Sequence, residues 1–239
     1  MKKILNLVIT GGPCGGKTTS LQILKEYFEQ KGFKVFTVEE TATSVIRSGA
    51  IPKPDGSVSL EVFQWMILIE QLSKEIAIRK AAVDCDEEKV VILYDRAVLD
   101  NRAYISHKIF QKMIDQLGIT EKQIMSWYDL ILHMVSPAYD KPDVYNKGNV
   151  ARMENVERAR QVEADTIDAW PECDKKHVFY NDCDFPEKIR RMIEVIDEEI
   201  AKWENTQEAI QIQTDLEEKH PTDTEIIYTM IHPLQFVKH

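Results

Sequence analysis

The sequence predicts an α/β fold, a parallel five-stranded sheet with flanking helices. Three observations carry that prediction. Short apolar runs alternate with longer amphipathic stretches along most of the chain, the pattern of strands joined by crossover helices. The strand runs are close to continuously apolar, as in Val90-Val91-Ile92-Leu93-Tyr94, which marks strands covered on both faces. Of nine glycines, Gly11, Gly12, Gly15 and Gly16 cluster between the first strand and the first helix, where backbone must approach something closely or take positive φ.

The elements follow in order. Residues 4–9 are the first strand. Residues 17–31 form an amphipathic helix with Leu21, Ile23, Leu24, Tyr27 and Phe28 inward, and Gly32 stops it. Lys34–Val38 is the second strand, and 40–48 a short helix ended by Gly49. Ile51–Ser59 is a loop with Pro52, Pro54 and Asp55-Gly56. Residues 60–82 make a long helix and Val90–Tyr94 the third strand. Helix is expected over about 98–117, and again from Thr120, a good N-cap residue. Leu130–Val135 is the fourth strand, 137–149 a polar loop and 150–169 a charged helix. His177–Tyr180 is the fifth strand, and 186–204 a last helix with Pro186 in its first turn. Residues 1–204 therefore read as one domain. A helical lid is expected at about 140–169, because that stretch is polar and charged with few large apolar anchors. Residues 205–239 read as an acidic tail, in which Thr224–Phe236 is either one more strand or a strapping segment.

Composition bounds the function. The 239 residues are 44% apolar and 29% charged, enough for a full core and unlike a disordered chain. Lys and Arg number 30 against 40 Asp and Glu, a net charge of -10. That balance disfavours a duplex nucleic acid partner, which needs a basic face, but leaves room for a nucleotide held by a few local donors. No apolar run is long enough for a transmembrane segment. The N-terminal run leads into Gly-Gly-Pro rather than a small-residue cleavage site. Cys14, Cys85, Cys173 and Cys183 form no C-x-x-C pair and fit reduced thiols. The expected location is the cytoplasm.

Gly11-Gly12-Pro13-Cys14-Gly15-Gly16-Lys17-Thr18 matches G-x-x-x-x-G-K-[ST], with an apolar strand before it and an amphipathic helix after. Only small residues let a loop wrap a phosphate chain with backbone N–H groups, and the helix N-terminus adds partial positive charge. The fold class narrows to a P-loop NTPase. Lys17 reaches the β- and γ-phosphates, and the Thr18 hydroxyl joins a Mg²⁺ shell. Thr19 is a second phosphate contact or a plain first-turn residue. Cys14 is a small loop filler rather than a nucleophile.

The third strand ends in Asp95-Arg96. In open α/β sheets, ligands sit outside the carboxyl ends of the strands. Asp95 is therefore placed to organise Mg²⁺, the alternative being a helix cap. Arg96 is a phosphate or substrate contact. Asp100 and Tyr104 follow, facing an acceptor pocket or the helix surface. The second strand ends in Glu39-Glu40, and either carboxylate suits an acceptor's proton. Arg152, Arg158 and Arg160 crowd one stretch. Arg152 and Arg160 are read as lid arginines that close on a triphosphate. Arg158 is assigned to an i,i+4 salt bridge with Glu154. Asn181 lies after the fifth strand, where a base-recognition loop falls. His133 reads as a core histidine, and Trp65, Trp127, Trp170 and Trp203 as packing residues.

Together these residues resemble the small P-loop kinase-like proteins, often termed AAA-like ATP-binding domains, related to the nicotinamide riboside kinase domain. The matching pieces run from Ile9-Thr10-Gly11-Gly12-Pro13 to Lys17-Thr18-Thr19, then Glu40-Thr41-Ala42-Thr43 and Phe63-Gln64. Asp95-Arg96-Ala97-Val98-Leu99-Asp100 with Tyr104, Tyr128-Asp129, Asn149-x-x-Arg152-x-Glu154, Ala159-Arg160, Trp170 and Phe185-x-Glu187-Lys188 complete them. The resemblance covers roughly residues 4–200. It implies a nucleoside/nucleotide-kinase-like sheet, ATP or GTP with Mg²⁺, a closing lid, and Glu40 or Asp95 as the acceptor-side carboxylate. Thr41 and Ala97 depart from the family's usual alanine and glycine. The expected activity is γ-phosphoryl transfer to a small-molecule hydroxyl of a nucleoside or riboside-like acceptor. The alternative is an ATP/GTP-binding switch or slow NTPase with a protein or lipid partner.

Overall fold

The computed structural model describes residues 2–140 and 156–205. Its five strands are β1 (Lys3–Thr10), β2 (Lys34–Val38), β3 (Lys89–Asp95), β4 (Leu130–Met134) and β5 (Lys176–Phe179). They pair in the order β2-β3-β1-β4-β5, every pair parallel. The order reverses around β1, which opens a crevice at its carboxyl end. The helices are α1 (Lys17–Gln30), α2 (Thr41–Arg47), α3 (Leu60–Asp84), α4 (His107–Gln116), α5 (Glu121–Ser126), α6 (Pro137–Asp140), α7 (Val156–Ala169) and α8 (Phe185–Asn205).

The sheet has two dry faces because alternate strand residues point to opposite sides. On one face Leu5, Leu7, Ile9, Leu93 and Leu132 pack on Leu24 and Phe28 of α1 and on Met192 and Ile196 of α8. On the other, Val8, Ile92, Tyr94 and Ile131 meet Leu68 and Leu72 of α3, Phe110 and Met113 of α4, and Trp170. Each such side chain contributes about 1.5–3 kcal/mol of transfer free energy. This double cover accounts for the uninterrupted apolar strands.

Besides the short helix α6 that opens the expected loop 137–149, two expectations change. The stretch 98–117 is not one helix. A 3-10 turn spans Val98–Ala103, and α4 starts separately with Ser106 Oγ accepting from Ile109 N. Asp100 folds back so that its Oδ2 accepts from Ala97 N at 3.1 Å, which favours the tight turn over a continuing helix. The second change concerns the lid. Its described helical part, α7, is docked: Ala159, Val162, Glu163, Thr166, Ala169 and the following Trp170 are buried at helical spacing. Small residues and one carboxylate build this face, so it carried no strong apolar signal. Arg152 and the tail 206–239 lie outside the described residues. No described helix is long and apolar enough to cross a membrane.

Candidate functional site

The phosphate loop leaves β1 between β3 and β4. Gly11 has φ 129°, and a Cβ there would lie 2.0 Å from Met134 O, so only glycine fits. Pro13 and Gly15 are buried, while Cys14 at the tip is exposed with φ 59°. Gly16 takes φ 89° and starts α1 with no side-chain cap and no acid in the first turn. By contrast, α3, α4 and α5 are capped by Ser59, Ser106 and Thr120. An uncapped N-terminus behind a glycine loop directs its amides at an anion. Thr18 and Thr19 are exposed on that first turn. Lys17 reaches back across the loop, and its Nζ donates to Gly12 O at 2.7 Å.

Asp95 ends β3 in register with Ile9, two residues before the loop. With the Thr18 hydroxyl it offers one carboxylate and one hydroxyl, a set that suits Mg²⁺ when phosphate oxygens and waters complete the octahedron. Among the described residues no group of three or more His, Cys, Asp or Glu gathers into a self-sufficient metal cage.

Arg96 holds a left-handed backbone, φ 68°, and its N donates to Ile9 O at 3.0 Å. Such a conformation costs a bulky residue of order 1–3 kcal/mol. It is sustained from behind. Gln71 Nε2 donates to Arg96 O and to Glu75 Oε1, while Thr41 Oγ1 donates to Gln71 Oε1. Burial pushes the Glu75 carboxyl upward despite Arg79, Gln71 and Tyr128 around it. Thr41 and Ala97, the two departures noted in the sequence, are both buried. The Thr41 hydroxyl is used on Gln71 behind the Arg96 turn.

The Arg96 side chain is buried, and Nε lies 3.4 Å from Glu40 Oε1. Its Nη1 and Nη2 have no hydrogen-bond acceptor among the described residues. Burial works against the charge, but Tyr104, Asp100, Glu40 and Asp95 outweigh it and keep the guanidinium protonated. Of the two glutamates after β2, Glu39 is exposed and Glu40 turns to Arg96, with Oε2 accepting from Thr43 Oγ1. Tyr104 also lines a cavity of about 360 Å³ with Leu60, Ile109, Arg158 and Asp165. Arg158, assigned from sequence to a salt bridge, faces this cavity from α7; Glu154 lies outside the described residues.

Other expected residues have structural duties. Asp100 is no surface residue: its Oδ1 accepts from Thr10 Oγ1 at 2.5 Å and from Trp170 Nε1 at 2.8 Å. Arg160 Nε donates to Ala138 O at 2.7 Å, which ties α7 to α6. Asn181 is expected at the base but is engaged in the fold. Its amide donates to Val135 O and Asp140 Oδ1, and its Oδ1 accepts from Lys188.

The sequence reading missed Glu163. Its Oε2 accepts from Gly12 N at 2.7 Å and Ser136 N at 2.8 Å, and its Oε1 lies 2.5 Å from His133 Nε2. Burial opposes ionisation, yet the bonds from His133, Ser136 and Gly12 hold the carboxyl below the ordinary glutamate range. Only the buried helical spacing of Ala159, Val162 and Thr166 around Glu163 could have flagged it, and that signal is weak.

A family model described as an AAA domain matches residues 6–188, most of the chain. The chain belongs to the AAA domain family. No curated protein matches it. The matched span of this AAA domain runs from β1 through the phosphate loop, Glu40, Asp95-Arg96 and Glu163 to the start of α8. It is a P-loop domain of the nucleotide-binding class.

Proposed function

We propose that this AAA domain is an ATP-dependent kinase that transfers a γ-phosphoryl group to the hydroxyl of a nucleoside or riboside-like acceptor. In this reading it is related to the nicotinamide riboside kinase domain. One observation carries the proposal: beside the phosphate loop, next to Glu40 and Asp95, Arg96 holds two buried Nη groups with no hydrogen-bond acceptor among the described residues. An arginine and a Mg²⁺-organising acid also serve hydrolysis; the Glu40 carboxylate beside the fork is what favours an acceptor hydroxyl. A planar guanidinium fork matches the oxygens of a phosphoryl group. The cavity lined by Tyr104 and Arg158 lies within the size range of small-molecule sites, about 300–1,000 Å³.

The roles follow from position. The loop amides and Lys17 hold the triphosphate. Thr18 and Asp95 would hold Mg²⁺, which would supply positive charge against the charge that develops in transfer. Glu40 orients the acceptor hydroxyl and takes its proton. The Arg96 fork stabilises charge on the moving phosphoryl group. Arg152 is the residue proposed to close over the triphosphate, while Arg160 ties α7 to α6 through its bond to Ala138 O. The nucleotide is ATP or GTP.

A phosphate-transfer screen over nucleosides, nucleotides and cofactor precursors tests the proposal. The expected result is Mg²⁺-dependent labelling of a hydroxyl-bearing acceptor. Asp95→Asn should lower it by orders of magnitude with a smaller change in nucleotide affinity. Phosphate release to water alone, with no acceptor labelled, overturns the kinase in favour of a slow NTPase or switch.

A further inference from the structure

We infer that Glu163 is a positioning residue for the phosphate loop, acting from α7 through a direct bond to Gly12. The Gly12 peptide region is held from two sides. Its N–H donates to Glu163, and its carbonyl accepts from Lys17 Nζ. The next residue is held as well, since Ser136 Oγ donates to Pro13 O at 2.5 Å while Ser136 N donates to Glu163. One carboxylate therefore sets the entry turn of the loop and, through Gly12, the point on which the phosphate-reaching lysine leans. The contact has no slack: a Cβ at Gly12 would lie 2.3 Å from Glu163 Oε2.

The form of the pair follows from hydrogen bonding. His133 is fully buried and its Nδ1 has no hydrogen-bond partner among the described residues. An imidazolium would bury an unpartnered N–H there. The assignment that leaves only a lone pair unused is neutral His133 donating Nε2–H to an ionised Glu163. Glu163 then accepts from three donors on three pieces of backbone and side chain: the loop, the β4 end and His133. The charge of Lys188 on α8 also reaches it. The same helix also governs the acceptor side. Trp170, just past α7, donates to Asp100, and Arg102 Nη1 donates to Ala169 O. α7 thus bolts the phosphate loop and the 3-10 turn carrying Asp100 to one element, which keeps the two halves of the site in register.

The inference concerns nucleotide binding and stands whether or not the domain is a kinase. Its test measures affinity for a non-hydrolysable ATP analogue with Mg²⁺, thermal unfolding, and amide exchange at residues 11–17. Glu163→Ala should weaken binding by about tenfold or more, because buried Gly12 and Ser136 donors lose their acceptor. It should also speed exchange in the loop while β1, β3 and β4 stay protected. Glu163→Gln can still accept from Gly12 and Ser136 through its amide oxygen. Its N–H₂ forces the other His133 tautomer, with a buried Nδ1–H left unpartnered. It should therefore bind within about threefold of wild type while unfolding at a lower temperature. That split between affinity and stability is what a merely structural role does not give. Gly12→Ala should also lose at least about tenfold in affinity, and less than that in the Glu163→Ala background. Affinity that simply follows thermal stability across the variants overturns the inference. So does wild-type affinity and loop exchange in Glu163→Ala. If Glu163→Ala does not fold, the Glu163→Gln split alone decides.

Discussion

Glu163 and Arg96 are both buried charges flanking the phosphate loop, and they are provided for in opposite ways. Glu163 has three donors for its two oxygens. Arg96 has one ion-pair contact through Nε and two Nη groups with no acceptor among the described residues. Leaving buried donors unmade costs about 1–3 kcal/mol, more for charged groups. A fold keeps such a group where it is needed for something besides the fold. The difference separates a charge that holds the site together from one whose fork is left without an acceptor among the described residues.

Substituting each charge should therefore damage a different property. The largest effect is expected for Arg96→Lys, which keeps a positive charge near Glu40 and removes the fork. Phosphoryl transfer should fall by about 100-fold or more, while the unfolding midpoint stays close to wild type, because the Nη groups hold nothing in the fold. A large loss of thermal stability in this variant would put Arg96 in the same class as Glu163. Next comes Lys17→Ala. It removes a charge-assisted contact of about 1.5–3 kcal/mol from nucleotide binding, measurable by calorimetry, and more from turnover. Its bond to the Gly12 carbonyl lies within the loop itself, and circular dichroism should show the fold intact.

The Glu163 side of the comparison is sharpened by acid. The folded-state pKa of Glu163 lies below its ordinary value. Its ionisation therefore adds stability that is full above the unfolded value, about 4.3, and is lost as pH falls through the lower folded value. Thermal unfolding between pH 6 and 3 should decline more steeply in wild type than in Glu163→Gln, in which that charge is absent. Equal slopes would mean that the carboxylate gains nothing from its three donors. The smallest effect is expected for Arg160→Ala. The loss of one bond to Ala138 O costs about 0.5–1.5 kcal/mol, seen as a modest drop in the unfolding midpoint. A turnover loss much larger than the drop in nucleotide affinity would restore Arg160 to the triphosphate, as the sequence reading has it.

The nucleotide half of the site was legible in the chain because its signals are contiguous. Gly11 through Thr18 sit between a strand and a helix, so residue type, spacing and context all lie within one window. Asp95-Arg96 was legible for a related reason: an apolar strand ending in an acid names its own position at the sheet's carboxyl edge. The docking of α7, the described part of the expected lid, was not legible, since it rests on Ala159, Val162 and Thr166, residues too small to register as anchors. Asn181 was placed near the base by its position after β5. Its partners Val135, Asp140 and Lys188 come from three other segments, and they engage its amide.

The sequence by itself determined the five strands, most of the helices, the phosphate loop and the place of Asp95-Arg96 at the end of β3, because local periodicity and short motifs are written in neighbouring residues. Tertiary structure alone decided what each charge does. Glu163 lies 151 residues from Gly12, and His133 meets it from another strand. Whether a buried carboxylate has three donors, or a guanidinium none for its fork, depends on which distant backbone arrives beside it. Burial and hydrogen-bond satisfaction are properties of that assembly, and no window of sequence contains them.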